Sequence, residues 1–359
     1  MRAYCLDTQD APAWRALLSR LPATDVYFLP EYHHAFEVNG DGTACGFVAE
    51  ENEHVLFYPF LLRDIQPAPG DPPTEPLSDI ETVYGYSGPL ATTTDPTFLT
   101  RAWAVFADWC RQRRVVAEFI RFDPLLGNHR YAEGACQVTL DRQTVAVRLD
   151  ASAEEIWQSY PSIQRNMVRK ALKKGLLCEE VCATEGMSLF KTVYGGTMDR
   201  RGARAYYFFS DAHLDALCSA LGDQMKLFVV RDGERVVAAA LFLLSGEWIH
   251  YHLAGSDPRY QEAAPNNLLL HTAALWGQQR GFRGMHLGGG RTPDAEDSLF
   301  RFKASLSRMR LPFHIGRRVH NQPRYDRLCS AWMRASGRTE RPNYFLLYRL
   351  QASNEHAAV

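Results

Sequence analysis

Three consecutive glycines, Gly288, Gly289 and Gly290, stand between an apolar run and an acid-rich one, and neither a helix nor a strand packs well over such a run. Met285, His286 and Leu287 before them read as the end of a buried strand. The glycines then let the backbone take positive φ and pass close to another group. Asp294, Glu296 and Asp297 crowd the head of the helix that follows, where negative charge suits the helix dipole. Ser298 is its expected N-terminal cap. Leu299, Phe300, Phe302 and Leu306 give that helix an apolar side, and Lys303 lies among them. A lysine beside a Gly-rich turn suits an oxyanion stabiliser, because a cation preset in a partly dry site favours charge that develops there. The competing reading is a lysine that lays its stem along apolar surface and keeps its ammonium in water.

At 359 residues the chain exceeds one ordinary core, so two domains are expected, the first spanning residues 1–150. A hydrophobic content of 46% with 12% aromatics excludes a disordered chain. The N-terminus MRAYCLDTQDAPAW has no apolar core of a signal peptide, and no uncharged apolar run approaches the roughly 18 residues a membrane helix needs. The eight cysteines form no CxxC pair, and Cys178 and Cys182 have no histidine cluster beside them. Reduced thiols, no metal and a cytoplasmic location are the expectation. The net charge of −1 conceals a gradient. Residues 1–150 hold 12 arginines against 21 acids, and the remainder holds 28 basic against 20 acidic residues. That asymmetry reads either as an anionic partner for the second half or as ordinary surface variation.

Along the first half, Trp14, Leu17, Leu18 and Leu21 have helical spacing ended by Pro22. Residues 31–37 form a short helix whose His33 and His34 read as surface or packing residues. ACGFVAEE and HVLFYPFLLRD make a hairpin. The Pro-rich stretch 67–76 is a loop. Residues 83–90, VYGYSGPL, form a compact turn that shows the hydroxyls of Tyr84 and Tyr86, for contacts or for stacking. Residues 98–112 are an amphipathic helix, VAEFIRFDPLL a buried strand, and 143–150 a strand that closes the domain.

Ser152 and Glu155 have capping-box spacing and open the second half. The helix QRNMVRKALKKG carries Arg165, Arg169, Lys170, Lys173 and Lys174 with no acid, and Gly175 ends it. Arg165, Arg169 and Lys170 suit phosphate binding, since a guanidinium fork is bidentate; a solvated cationic face is the alternative. Residues 187–204 form a helix that breaks near Arg201 and Gly202. Tyr207, in the YYFF run 206–209, is a candidate wall of a pocket, with core packing as the alternative. Residues 226–256 read as three strands joined by Asp-Gly and Ser-Gly turns. Tyr251 and His252 point to opposite faces of the last of them, so at most one faces a site. Pro265 and Asn266 then open a helix. Residues 311–320 and 343–350 read as two further strands.

Taken together, LGGG, the acidic loop and SLFRFKASLS resemble the C-terminal signature of the Fem-type (FemABX-like) transferases, tandem-domain relatives in the GNAT superfamily. YGYxGP at Tyr84–Pro89, the Arg-x-x-x-Arg-Lys-Ala helix at Arg165 and the order of elements are similar as well. The resemblance covers most of the chain. It implies an α/β (α+β) fold of two tandem GNAT-like domains, residues 1–150 and 151–319, each a mixed, mainly antiparallel sheet flanked by helices. Residues from about 320 to 359 return to the first domain. By the same resemblance Phe302 and Lys303 sit at the reacting ester and Tyr84 and Tyr86 on the acceptor side. Arg165, Arg169 and Lys170 take phosphates. Gly289, Asn266 and Tyr207 are further candidates for substrate contact. Fem enzymes move amino acids from aminoacyl-tRNA to amines of peptidoglycan precursors. The turn before Pro265 lacks the glycine pair with which acetyl-CoA enzymes of the superfamily cradle a pyrophosphate, which agrees with a tRNA donor. The coiled-coil arm of some Fem members is missing here, so the acceptor is left between a peptidoglycan precursor and a natural-product-type amine.

The resulting expectation is an aminoacyltransferase with no cofactor, aminoacyl-tRNA as co-substrate, and no membrane insertion. Lys303 steadies the oxyanion, Phe302 shapes its pocket and Tyr251 relays a proton. The alternative donor is an acyl-CoA, with an amino sugar or amino-acid-derived metabolite as acceptor. A third reading is a catalytically idle GNAT-like protein that senses a nucleotide-linked ligand.

Overall fold

The computed structural model describes residues 1–66, 75–200 and 208–350. The chain divides into two compact units, Met1–Arg142 with Pro312–Val359, and Gln143–Leu311.

In the first unit the elements run β1 (Arg2–Leu6), α1 (Ala11–Leu18), α2 (Pro30–Val38), β2 (Thr43–Glu51), β3 (His54–Asp64), β4 (Ser78–Glu81), β5 (Leu90–Ala91), α3 (Pro96–Gln112) and β6 (Val115–Arg121). β7 (Gln137–Arg148) then leads into the second unit. That unit continues α4 (Ala153–Ser159), α5 (Ser162–Lys173), β8 (Leu177–Val181), α6 (Ala183–Arg200), α7 (Asp211–Leu221), β9 (Met225–Asp232), β10 (Arg235–Ser245), β11 (Trp248–Ser256), α8 (Pro265–Gln279), β12 (Gly284–Gly288) and α9 (Ser298–Ala304). β13 (Met309–Val319) returns the chain to the first unit, where α10 (Gln322–Ser336) follows.

The strands of each unit follow one plan. Those of the first are ordered β1-β2-β3-β4-β6-β13, with β5 beside β3. Their pairs are antiparallel except β4 with β6. Those of the second are ordered β8-β9-β10-β11-β12-β7 and are antiparallel except for β11 with β12. A parallel pair needs a crossover. α3 lies in the crossover between β4 and β6, and α8 in that between β11 and β12. The fold is α/β, a large, mixed, mainly antiparallel sheet flanked by helices.

Local sequence explains most elements. Phe98, Ala102, Trp103, Phe106 and Cys110 recur at helical spacing along α3 and are buried, while Asp95 caps it through the Thr97 N–H. They pack on the inward residues Phe47, Leu56, Tyr58 and Phe60 of β2 and β3. In the second unit Leu268, Leu269, Leu270, Ala273 and Ala274 of α8 fill a core with Phe228, Phe242 and Met285 from the sheet. Ser152 and Glu155 close a full capping box on α4.

Three local expectations fail. Residues 343–350 form no strand. Consecutive Leu346 and Leu347 are both buried, which a two-residue alternation forbids, and Leu347–Arg349 is a 3-10 turn. Arg349 is held there by Asp79, at 2.8 and 2.9 Å. Ser298 does not cap α9; Asp297 does, its Oδ1 accepting the N–H groups of Leu299 and Phe300 at 3.0 Å each. α6 starts earlier than expected, at Ala183, and the expected break at Arg201 and Gly202 lies outside the described residues, as does Tyr207.

Candidate functional site

The site of the second unit begins where two strands part. β11 and β12 pair in parallel only over Trp248–His250 and Gly284–His286. Beyond those residues they no longer pair. β11 carries a bulge here: Leu241 faces Leu253 while Phe242 faces Tyr251, so His252 is the extra residue. Gly288 takes φ +75°, the left-handed region, and turns the chain out of β12. Gly290 answers a different demand. A Cβ there would lie 2.7 Å from Asp297 Oδ1 and 2.9 Å from the Phe300 Cβ. The glycine run therefore passes directly against the head of α9.

α9 places Lys303 at this parting. Its side chain is buried, and Nζ donates to the Gly289 carbonyl at 2.8 Å. Nζ also lies 5.9 Å from the centre of the Tyr251 ring. One residue from each diverging strand end thus meets the same ammonium. Burial pulls the Lys303 pKa down to about 7, against the opposing pull of Asp297. A cation that is dry and half titrated near neutrality is poised to respond to new negative charge. Burial pushes the Asp297 carboxyl up, but N–H groups of Phe300 and Arg291 outweigh it and hold it below the usual range. Phe302 and Tyr251 are half-buried and pack on the core beside Lys303's helix.

A set of imidazoles lies near this point, of which the sequence singled out His252 alone, as a residue that could face a site. His250 and His286 are buried, with ring centres 5.7 Å apart and planes at 88°. His286 Nε2 lies 2.9 Å from Thr144 Oγ1. Burial, with His250 and Lys303 adding, holds His286 far below its ordinary pKa. His252 is half-exposed as a residue, yet its Nε2 is enclosed. Burial, then His213 and His250, bring it down to about 3. His252 and His286 are neutral at pH 7 and add hydrogen-bonding groups without charge. The alternation in HYH, residues 250–252, and the His286 before the glycines were the available signals.

The remaining candidates sit elsewhere. Asn266 Nδ2 donates to Ser256 Oγ at 3.2 Å, which ties the start of α8 to the end of β11. Asn267 and Gln164 exchange a buried hydrogen bond of 2.6 Å that fixes α5 to α8. Arg165 turns inward: its Nη1 caps the end of α4 on the carbonyls of Tyr160 at 2.6 Å and Gln158 at 3.2 Å. Arg169 stacks over Trp157 at 5.1 Å. Lys170, Lys173 and Lys174 are exposed. In the first unit Tyr32 donates to the Tyr84 carbonyl at 2.7 Å. Tyr86 is half-buried and packs edge-on against Tyr27 and Phe313. Burial raises its hydroxyl's pKa. Among the described residues no group of His, Cys, Asp and Glu has the geometry to hold a metal ion. No described helix is long and apolar enough to cross a membrane.

Residues 164–303 match the family model described as Acetyltransferase (GNAT) domain. That segment runs from the buried Gln164 to Lys303. No curated protein matches the chain. Among solved structures the chain is similar to FemX, at 15% identity over 91% of this chain and 99% of that one, with a TM-score of 0.66. It is similar to L-PGS from Bacillus licheniformis, at 11% identity over 86% and 91% of the two chains, with a TM-score of 0.55. A third likeness is to the C-terminal domain of a putative lysylphosphatidylglycerol synthetase from Agrobacterium fabrum, at 13% identity over 88% and 92%, TM-score 0.53. The match marks residues 164–303 as a GNAT-type acyltransferase domain.

Proposed function

We propose that this protein is a Fem-like aminoacyltransferase. It moves an aminoacyl group from aminoacyl-tRNA to an amine of a peptidoglycan-precursor or natural-product-type acceptor in the cytoplasm. The observation that carries the reading is the Lys303 ammonium, buried and held on the Gly289 carbonyl beside Tyr251. The likeness to FemX along nearly the whole chain supports it.

The chemistry needs no covalent enzyme intermediate. The neutral acceptor amine attacks the ester carbonyl carbon, a C–N bond forms, and the carbonyl oxygen becomes an oxyanion. Protonated Lys303 donates to that oxygen; its hydrogen bond to Gly289 keeps the ammonium in place beforehand. Collapse breaks the ester C–O bond and releases the tRNA hydroxyl. The proton lost by the attacking nitrogen ends on that leaving oxygen, with Tyr251 as the relay. Phe302 shapes the acyl pocket, with Gly289 beside it, and Asn266 at the head of α8 is a further candidate for substrate contact. Arg169 and Lys170, both exposed, contact phosphates of the donor, while Arg165 is occupied at the end of α4. Tyr84 and Tyr86 of the first unit are the candidates for acceptor contacts.

An acyl-CoA donor with an amino-sugar or amino-acid-derived acceptor is the second reading. The match to an acetyltransferase domain favours it. The deciding experiment follows release of label from a panel of charged tRNAs and acyl-CoA thioesters in the presence of candidate amines. Deacylation of a charged tRNA that requires the amine supports the first reading. Turnover of thioesters alone overturns it in favour of the second. Full turnover by Lys303→Ala removes Lys303 from either mechanism.

A further inference from the structure

The first unit contains a cavity that this chemistry does not use. It has a volume of about 360 Å³ and is lined by Arg317, Tyr325, Arg341, Asn343, Tyr344 and Phe345, with Pro342 between them. That volume is within the range of small-molecule sites, roughly 300–1,000 Å³. Three elements build it. β13 supplies Arg317, opposite Phe119 of β6; α10 supplies Tyr325; the segment after α10 supplies the rest.

Two arginines line this cavity. Three other guanidiniums of this unit are matched by carboxylates, while Arg318 Nη1 is, like Arg317, buried without a hydrogen-bond partner among the described residues. Arg63 and Arg349 both reach Asp79, at 2.9 and 2.8 Å, and Arg121 reaches Glu81 at 2.6 Å. Arg317 Nε, by contrast, is buried without a hydrogen-bond partner among the described residues. Among the described residues Arg341 meets only the Tyr325 hydroxyl at 3.3 Å, the Cys329 sulfur at 3.7 Å and the Tyr325 ring at 5.9 Å. None of these contacts neutralises it. Of the two, Arg317 carries the buried donor that an anion in the cavity would satisfy, and the exposed Arg341 adds a second positive charge beside it. The other walls are aromatic. Tyr325 and Phe345 lie 5.5 Å apart, and the Tyr325 hydroxyl is fixed on the Phe345 carbonyl at 2.6 Å.

We propose that this cavity binds the phosphate of a ring-bearing phosphomonoester, with Arg317 and Arg341 on the phosphate and Tyr325, Tyr344 and Phe345 around the ring. A phosphomonoester carries about −1.5 to −2 at pH 7 and three acceptor oxygens. It therefore balances two arginines, whereas one carboxylate balances one. Planar guanidiniums match its oxygens pairwise. The site is independent of Lys303 and of the donor assigned above.

Calorimetric titration of the whole protein with phenyl phosphate, benzoate and inorganic phosphate tests the assignment. Phenyl phosphate is expected to bind one site. Arg317→Gln and Arg341→Gln each weaken it at least about tenfold. Inorganic phosphate, lacking the ring, and benzoate, lacking the second charge, bind more weakly. Lys303→Ala leaves the affinity unchanged, which separates this site from the transfer chemistry. Arg341 is exposed, so Arg341→Gln keeps the fold and stands alone if Arg317→Gln unfolds. No saturable binding at millimolar phenyl phosphate overturns the proposal, and so does equal affinity in wild type and Arg341→Gln. Tighter binding of benzoate than of phenyl phosphate overturns the phosphomonoester assignment.

Discussion

Lys303 Nζ donates a hydrogen bond of 2.8 Å to the carbonyl of Gly289, fourteen residues earlier in the chain. The bond joins α9 to the glycine run and fixes a dry ammonium between two strand ends. Its cost is set by burial, and its use is set by what charge arrives there.

That cost predicts a trade between stability and activity. Lys303 titrates at about 7 in the fold and at about 10.4 when unfolded. The unfolded chain therefore binds the proton more tightly, and stability rises with pH between those values. Below pH 7 the penalty is fully present, at most about 5 kcal/mol. Lys303→Met removes it and leaves only the Gly289 carbonyl without its donor. Urea unfolding at pH 6 is expected to show a more stable variant, while kcat falls roughly 10²–10³-fold. A variant less stable than wild type at pH 6 contradicts the buried-charge argument.

The same titration shapes the pH–rate profile. The acceptor amine must be neutral, so the rate climbs with pH, and Lys303 must be protonated, so it falls again above about pH 7. Lys303→Arg keeps a cation that does not titrate in this range. Its profile is expected to lose the descending limb, at a lower maximum. Persistence of that limb assigns it to another group.

Gly290→Ala tests the close approach. The added methyl would meet Asp297 Oδ1 at 2.7 Å and the Phe300 Cβ at 2.9 Å. Neither is a flexible chain end, so backbone has to shift. A loss of about 1–3 kcal/mol is expected in thermal unfolding, with a fall in kcat because the Gly289 carbonyl moves with it. Wild-type melting and kcat together would show that the loop has room.

His33 predicts acid sensitivity. It is wholly buried beside Trp14, ring centres 5.3 Å apart, and burial lowers its pKa to about 3. The unfolded ring takes a proton at about 6.5, so the unfolded state gains protons as pH falls from 6.5 towards 3 and stability is lost over that window. Between pH 7.5 and 4.5 this residue accounts for about 2–3 kcal/mol. His33→Phe is expected to flatten that part of the urea-unfolding profile. An unchanged slope assigns the acid sensitivity to other groups, such as His252.

Periodicity and caps decided the local structure. α3, the three strands from Met225 to Ser256, the capping box at Ser152 and the glycine run all follow from residues a few positions apart, because their energetics are local. β1, β4 and β8 escaped, since short strands depend on neighbours that the sequence does not name. The segment 343–350 looked like a strand because its apolar residues are real; Asp79 and α10, far away in sequence, decide that it turns instead. Lys303 shows the division most clearly. The sequence placed it among Leu299, Phe300, Phe302 and Leu306 and left it either in water or in a dry site. Burial belongs to the packed core, not to spacing, and only the tertiary structure closes the core over its ammonium. The same holds for Arg165, which sequence marks as a free cation and packing bends onto the end of α4. Charge and pattern are written along the chain; which charges lose their water is decided by what folds over them.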